Sequence, residues 1–326
     1  MVRHTPVARI ERTSGATSVM QYFLTFSVSL TEQSTASEEA TIASESFFNE
    51  LRLRFPDKSI NPKWFQIRVS YKEAIATRLF EEIKEHNGKS PVGDLHFACA
   101  NPINFYSVKV ERIPSQEELN QSRWLYLTVP ELAMAKFKSV EPDDSYVISK
   151  VSSKKKIAFG STHTVGWMLL YSAALKDLLL NRGLQHVDFR TVKLEDGSAS
   201  GLWQSTSDVV MPPLAMTLLD GRRQPFTGDY SKGCGLDDGN YMPMVLRYRE
   251  SDLVNLPDFD LALSAERLGW TSHNVHRMHI ISQRFRQVAE KLAPGQFKYG
   301  LVAVGEGEEL QTRYTIPELA PPRDVA

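Results

Sequence analysis

The chain has 326 residues, of which 42% are hydrophobic, so it can bury a substantial core and exceeds the usual length of one domain. Its 38 basic and 39 acidic residues leave a formal net charge of −1, which excludes a global field that would gather nucleic acid or anionic lipid. No apolar run approaches the roughly 20 residues of a membrane-spanning helix, and the two cysteines are too few for a disulfide scaffold. We therefore expect a cytoplasmic protein of two or three modules, with no membrane partner and no nucleic-acid partner.

The N-terminal region shows strand and helix patterns in turn. Hydrophobic residues alternate over residues 20–30, which predicts a strand and not a signal peptide. "WFQIRVS" (64–70) alternates in the same way, and a helical pattern with apolar residues at steps of four begins near Tyr71. Two further extended runs precede Pro114. We predict an N-terminal α/β region over residues 1–118.

Two later stretches share one pattern of apolar residues. Residues 167–192 match residues 277–302 without a gap when the sequence is shifted by 110 positions. Each stretch predicts a strand, a serine, an amphipathic helix and a second strand. The sequence therefore predicts a first repeated unit over residues 119–218 and a second over residues 219–326. The predicted fold class is α/β, in the broader sense α+β, with an N-terminal α/β region followed by two similar strand-helix-strand units.

Further matches extend the predicted duplication. "VVMPPLA" from Val209 meets "YTIPELA" from Tyr314 at a shift of 105. "DDSYVIS" from Asp143 and "DFDLALS" from Asp258 are each an acidic entry into an apolar strand that precedes one copy. We expect each of these pairs to occupy equivalent places in the two units.

Ser172 and Ser282 stand where the strand pattern changes to the helix pattern. A serine at this place can accept a hydrogen bond from the first helical turn. A serine nucleophile on a strand-to-helix elbow would need a turn flanked by glycines, which neither serine has. We therefore expect both serines to be helix N-caps.

Histidine and cysteine provide the candidates for chemistry. His273, His276 and His279 could supply three ligands to zinc, but their spacing spreads them around a helix, and we expect His279 to lie already in the strand that leads to Ser282. A solvated loop at a strand entry is the favoured interpretation. Cys234 lies in "GCGLDDG" without the spacing of a phosphate-binding loop. "GSASG" (197–201) has alanine where a nucleophile elbow needs serine, and we expect a flexible loop after an Asp-Gly turn. No metal or cofactor is predicted.

Acidic positions in the second unit form a candidate surface for a basic partner, with a solvated face as the alternative. The predicted partner-binding residues are Asp237, Asp238, Glu306, Glu308 and Glu309.

One part of the chain resembles a known family. The segments "DFDLALSAERLG", "SQRFRQVAEKL" and "QFKYGLVAV" are similar to the C-terminal portion of bacterial polymorphic-toxin immunity proteins, including a group with double CxxCG motifs. The likeness covers mainly residues 257–320. "SKGCG" (231–235) would be a CxxCG motif in which Ser231 replaces the first cysteine, and the second motif is absent.

The resemblance implies a protein that binds and neutralises a cognate bacterial toxin, without a cofactor or catalysis. The alternative is a hydrolase-like enzyme whose histidine, cysteine and carboxylate groups meet only in the fold. A deep pocket that holds His273, His276 or Cys234 beside a carboxylate would favour the enzyme.

Overall fold

A computed structural model describes most of the chain. The described residues are 21–30, 46, 49–54, 64–70, 72–79, 97–100, 104–128, 132–141, 145–151, 157–163, 168–215, 217–219, 222–224, 245–268, 276–307 and 310. Strands dominate and helices cover them, which confirms the predicted α+β class. In the described part, no helix has the length and apolar character needed to cross a membrane.

The N-terminal region forms a four-stranded antiparallel sheet. Its strands are β1 (Gln21–Leu30), β2 (Trp64–Ser70), β3 (Phe97–Ala100) and β4 (Asn104–Ile113), in the order β2-β1-β4-β3. Helical residues 49–54 and 74–79 accompany the sheet, and each segment buries one leucine completely, Leu51 and Leu79. The alternation at 64–70 and the helical pattern after Tyr71 predicted these elements correctly.

A short helix, α1 (Gln116–Gln121), leads from this sheet to the rest of the chain. Ser115 accepts from the backbone N–H of Glu118, and the Glu118 carboxylate accepts from the backbone N–H of Ser115. This reciprocal capping box satisfies two amides of the first helical turn. Glu118 also pairs with Arg112 of β4, which attaches the helix to the N-terminal sheet.

Six strands close into a barrel, which we call the first barrel. They are β6 (Ala133–Val140), β7 (Tyr146–Val151), β8 (Phe159–His163), β9 (Leu169–Ser172), β10 (Asp188–Leu194) and β11 (Ala199–Thr206). The order around the barrel is β10-β11-β9-β8-β6-β7. Helix α2 (Ala173–Leu180) connects β9 to β10.

The C-terminal part forms a five-stranded sheet, which we call the second sheet. Its strands are β5 (Trp124–Thr128), β14 (Val245–Arg249), β15 (Leu261–Leu268), β16 (His276–Ser282) and β17 (Lys298–Gly305), in the order β14-β17-β5-β16-β15. Helix α3 (Gln283–Leu292) connects β16 to β17, and a 3-10 helix (Glu250–Leu253) follows β14. A separate pair, β12 (Thr217–Leu219) and β13 (Arg222–Gln224), lies between the two assemblies in the chain.

Five strands of the first barrel match the second sheet in order and direction. The order β8-β9-β11-β10-β7 corresponds to β15-β16-β5-β17-β14, with three antiparallel pairings followed by one parallel pairing in each case. The register also agrees. The pair Arg190↔Gln204 in the barrel corresponds to Gly300↔Tyr126 in the second sheet. The predicted duplication at a shift of 110 is confirmed for β9-α2-β10 and β16-α3-β17.

Residues 209–215 take the place in the second sheet that β6 has in the first barrel. Val209 and Met211 exchange backbone hydrogen bonds with Leu263 of β15, in a parallel bridge. Ala215 donates its N–H to the carbonyl of Arg247 in β14. The segment therefore links the two edge strands of the second sheet, as β6 links β8 and β7.

The two halves exchange one strand each. β5 precedes β6 in the chain but lies between β16 and β17, whereas β11 precedes β14 but lies between β9 and β10. We therefore define a first repeat (124–194) and a second repeat (199–305), each beginning with a strand that pairs inside the other half. Because each exchanged strand is hydrogen-bonded on both sides, the halves are interlocked.

This arrangement corrects one sequence match. The strand of "DDSYVIS" is β7, whose structural equivalent is β14, while "DFDLALS" contains β15, the equivalent of β8. The predicted equivalence of these two segments was therefore wrong. Both begin with acidic residues, but they occupy different positions in the strand order of the two halves. The match of "VVMPPLA" with "YTIPELA" stays a prediction, because residues 314–320 lie outside the described part. The boundaries 118/119 and 218/219 remain predictions, although β5 and residues 209–215 both pair across the second of them.

The predicted turn at Asp196-Gly197 is confirmed, but the flexible loop at 197–201 is wrong. Gly197 has φ 83° in the tight turn between β10 and β11. The backbone N–H of Leu194 donates to the carbonyl of Ser198, and the carbonyl of Leu194 accepts from the N–H of Gly197. Ala199 already begins β11. The small residues therefore form a hairpin turn and a strand start.

The main core lies between the two halves and is covered by α2 and α3. Phe159 stacks on Phe297 with 3.9 Å between ring centroids, and Tyr171 contacts both Phe297 and Phe189. Phe285 from α3 joins the same core and is fully buried. Burial of each such side chain contributes about 1.5–3 kcal/mol.

Polar contacts at the helix-to-strand loops lock each half onto the other. The Gln296 Oε1 atom accepts from the backbone N–H groups of Ala158 and Phe159, both at 3.0 Å. In the opposite direction, Asp260 accepts from the backbone N–H of Gln185 at 2.8 Å and donates its own N–H to the carbonyl of Gln185. The loop after α3 thus holds the start of β8, and the loop after α2 holds the start of β15.

Replacement of Gly300 by alanine will destabilise the pairing of β5 with β17. A Cβ atom at Gly300 would lie 2.1 Å from Cζ of the buried Tyr126 ring, so the ring or the strand must move. Overpacking of this kind costs about 1–3 kcal/mol. Gly305→Ala is the matched control, because its Cβ would meet only Leu310 at 3.9 Å. Urea unfolding of both variants measures the difference, and equal stability would contradict the described contact.

Ser282→Ala will cost more stability than Ser172→Ala. Both serines are confirmed N-caps, which accept from the N–H groups of Phe285 and Leu175. Loss of a cap costs about 1 kcal/mol. The Ser282 hydroxyl also donates to the buried carboxylate of Asp260, so its loss removes a second hydrogen bond. Thermal unfolding should show a larger decrease for Ser282→Ala, and a reversed order would refute the role of Asp260.

Candidate functional site

A polar cleft of about 220 Å³ lies between the first barrel and the second sheet, where the chain leaves β11. Strands of both halves line it, β7, β10 and β11 on one side and β15 and β16 on the other. Its wall is rich in cationic and hydrogen-bonding side chains, notably Arg190, Gln204, Thr206, His276, Arg277 and His279. We take this cleft as the candidate functional site because its lining is polar although several of these groups are buried.

Hydrogen bonds fix the position of the buried cleft residues. The Gln204 side chain is 4% exposed, and its Oε1 atom accepts from the backbone N–H of Tyr146 at 2.7 Å. The Ser205 hydroxyl donates to the phenolic oxygen of Tyr171 at 3.2 Å. These contacts hold β11 against β7 and β9 and give the cleft a rigid wall.

His279 is a neutral, structural member of the cleft wall. Its Nε2 atom lies 3.0 Å from the carbonyl oxygen of Ser205, and a carbonyl only accepts, so Nε2 carries the hydrogen. Burial lowers the pKa of His279 because the imidazolium would lose its hydration. His279 therefore adds a hydrogen-bonding group to the wall and little positive charge at neutral pH.

The equivalent place in the other half is filled by apolar side chains. Tyr126 occupies the position of Gln204, and its ring lies over Gly300, which occupies the position of Arg190. Leu127 stands in the place of Ser205, by the same register. The two halves thus share a backbone arrangement, but only one of them has a polar cleft there.

A buried carboxylate, Glu266, lies near the cleft in the second sheet. Its side chain is fully buried, and its Oε1 atom accepts from the backbone N–H of Leu214, which holds the linking segment 209–215 in place. Among the described residues, neither the other carboxylate oxygen nor the hydroxyl of Tyr248 has a hydrogen-bond partner. Burial raises the pKa of Glu266, and the nearby Arg277 opposes this shift.

Three lysines form a second feature, on the outer surface of the first barrel. Lys193 on β10, Lys150 on β7 and Lys136 on β6 are exposed on three neighbouring strands. Lys136 lies directly opposite Lys150. In the described structure none of the three has a carboxylate within ion-pair distance, unlike Lys138, which pairs with Glu195 at 3.4 Å. We call these three residues the lysine face.

The structure describes only one of the predicted acidic partner-binding residues. Glu306 is exposed and accepts from the backbone N–H of Ser251 at 2.8 Å, which caps the 3-10 helix and lowers the pKa of Glu306. The other predicted residues lie outside the described part: Asp237, Asp238, Glu308 and Glu309. Partner binding by this set stays a prediction.

The histidine prediction is partly wrong. His279 lies on β16 as predicted, but His276 also lies on this strand and not in a solvated loop. The two side chains are 4% and 2% exposed, because the strand runs between two others and buries both faces. His273 and Cys234 lie outside the described residues. Within the described part of the chain no three His, Cys, Asp or Glu side chains are placed to share a metal ion. The described residues that line the cleft include His276 and no acidic side chain.

Sequence reasoning missed Arg190, Gln204 and Arg277. No sequence motif marks these residues. The one available signal is in "LWQST" (202–206) of β11, where Gln204 and Ser205 are polar, whereas β5 ("WLYLT") has tyrosine and leucine at the equivalent positions. The contrast becomes informative only when the register shows that β11 and β5 are equivalent strands.

No family model matches the chain, and no curated protein sequence is significantly similar to it.

Glu266→Gln will stabilise the protein at neutral and alkaline pH. Because the pKa of Glu266 is higher in the folded than in the unfolded state, the folded protein binds the proton more tightly, and stability falls as pH rises above about 4.5. Glutamine resembles the protonated acid and removes this loss, so the melting temperature of the variant should exceed that of wild type at pH 8 and approach it at pH 4. Glu250→Gln, at an exposed acid, is the control. An unchanged pH profile in Glu266→Gln would contradict the raised pKa.

Proposed function

We propose that the protein binds and neutralises a bacterial toxin by stoichiometric association in the cytoplasm, and that the lysine face contacts an acidic surface of that toxin. The observation that carries the proposal is the unpaired charge on three neighbouring strands. The resemblance of residues 257–320 to immunity proteins of polymorphic toxins supports the choice of a toxin as partner.

The lysine face is unfavourable for the isolated protein. Like charges directly opposite each other on a sheet are destabilising, and Lys136 and Lys150 are such a pair. An acidic surface would remove this repulsion and would also speed the encounter of the two proteins. The net charge of −1 makes the attraction local to this face.

The interlocked scaffold suits an inhibitor. Stable protein complexes bury about 1,600 Å² in total, and a preorganised surface loses less conformational entropy on binding. β6, β7 and β10 belong to a closed barrel whose order is fixed by pairing on both sides, so the lysine face is held on a rigid support.

Co-expression with the toxin-like product of the neighbouring gene tests the proposed function. Wild type should restore growth and copurify with the toxin in a 1:1 complex. The triple variant Lys136→Glu, Lys150→Glu, Lys193→Glu should bind about ten- to hundredfold more weakly, because each attraction becomes a repulsion. Isothermal titration gives the affinity.

A matched control changes the net charge equally at other exposed sites, with Lys72→Glu, Arg182→Glu and Lys291→Glu. This control should keep wild-type affinity. A third variant reverses the predicted acidic set: Asp237, Asp238, Glu306, Glu308 and Glu309. Loss of binding in that variant alone would assign the contact to the acidic set and reject the lysine face. Absence of rescue by wild type would reject toxin neutralisation itself.

A further inference from the structure

We propose that the polar cleft is a carboxylate-binding site, which receives one acidic side chain of the protein partner. This inference rests on the proposed function and names the chemistry by which the cleft would recognise that partner. Its support comes from the lining of the cleft, from comparison of the two halves, and from the size and position of the cleft.

The lining combines cations with hydrogen-bond donors. Arg190 comes from the first repeat and Arg277 from the second, so both halves supply a guanidinium group. Guanidinium groups bind carboxylates through paired, charge-assisted hydrogen bonds. The hydroxyl of Thr206 adds a further donor, while one N–H of Arg277 is already donated to the carbonyl of Ser264 at 3.2 Å. None of the described residues that line the cleft is acidic. This set favours an anionic ligand over a cationic one.

The comparison of the halves indicates that the fold does not require a polar lining. Tyr126 and Gly300 fill the equivalent position in the second sheet with an aromatic ring, in the same backbone register. Burial of polar groups is unfavourable unless hydrogen bonds compensate it. Gln204, which is 4% exposed, is therefore a buried polar group at a position that an aromatic ring fills in the other half, and the exposed Arg190 lies beside it. A departure of this kind from an apolar filling is expected at a binding site.

Size and position select a protein side chain as the ligand. The volume of about 220 Å³ lies below the range of about 300–1,000 Å³ that is usual for small-molecule sites, but it accommodates the end of an acidic side chain. Arg190 precedes Lys193 on β10, and Tyr146 precedes Lys150 on β7, so the cleft and the lysine face lie roughly 10 Å apart along the same strands. One acidic surface can contact both.

The first test removes the cations. The double variant Arg190→Gln, Arg277→Gln should bind the toxin at least tenfold more weakly in isothermal titration. Neutralisation of each toxin Asp or Glu in turn should identify one position that no longer weakens binding to the double variant, which is the signature of a direct pair. Arg182→Gln, at an exposed arginine outside the cleft, is the control.

The second test closes the cleft with the residues of the other half. The double variant Arg190→Gly, Gln204→Tyr reproduces the pair Gly300 and Tyr126 at the same register. Because it keeps Arg277, this variant should fold even if the loss of Arg277 impairs folding in the first test. It should keep the melting temperature and the lysine face but lose affinity at least tenfold. Native affinity in this folded variant would overturn the inference, while weakened binding by the lysine-face variant would leave the proposed function standing.

If wild type neutralises no toxin, the proposed function fails and the cleft is tested directly. Glutarate, which ends in the same carboxylate as a glutamate side chain, is titrated at up to 50 mM against arginine side-chain NMR signals. Shifts in wild type that are absent from Arg190→Gln, Arg277→Gln support a carboxylate site. An unchanged wild-type spectrum, or equal shifts with inorganic phosphate at the same concentration, would overturn specific recognition of carboxylate.

Discussion

The pairing of β5 between β16 and β17, and of β11 between β9 and β10, is the constraint on which the rest of the structure depends. Each exchanged strand completes a sheet that the other repeat cannot complete alone. The exchange brings α2 and α3 onto one shared core, and it brings the loops after these helices to the strands of the opposite half. The cleft lies between the two halves, where the chain leaves β11 of the first barrel for residues 209–215 of the second sheet.

Local patterns in the sequence predicted much of the fold. The strand-serine-helix-strand units and their spacing of 110 residues are confirmed, because hydrophobic periodicity and an N-cap serine depend on near neighbours in the chain. The exchange could not be predicted in this way. β5 pairs with strands that begin at His276 and Lys298, and periodicity shows which face of a strand is buried but not which strand lies beside it.

The candidate site was still harder to read from the sequence. The sequence predicted His279 in a strand but favoured a solvated loop at the strand entry, whereas His276 also lies on β16 and the neighbouring strands bury both histidines. Arg190 and Gln204 have no motif and become notable only beside Gly300 and Tyr126. The two halves share one arrangement of strands, but an aromatic ring fills this position in one and polar side chains line it in the other.

The position of β5 also has a consequence during synthesis on the ribosome. The strands of the first barrel are contiguous, from Ala133 to Thr206, so a nascent chain holds the whole barrel once β11 has emerged. β5 emerges earlier still, but its two neighbours are complete only when Gly305 has been translated. Until then β5 is an unpaired apolar strand, which is a hazard for aggregation. We therefore expect the growing polypeptide to need protection of this one segment until the strands that flank it have been translated.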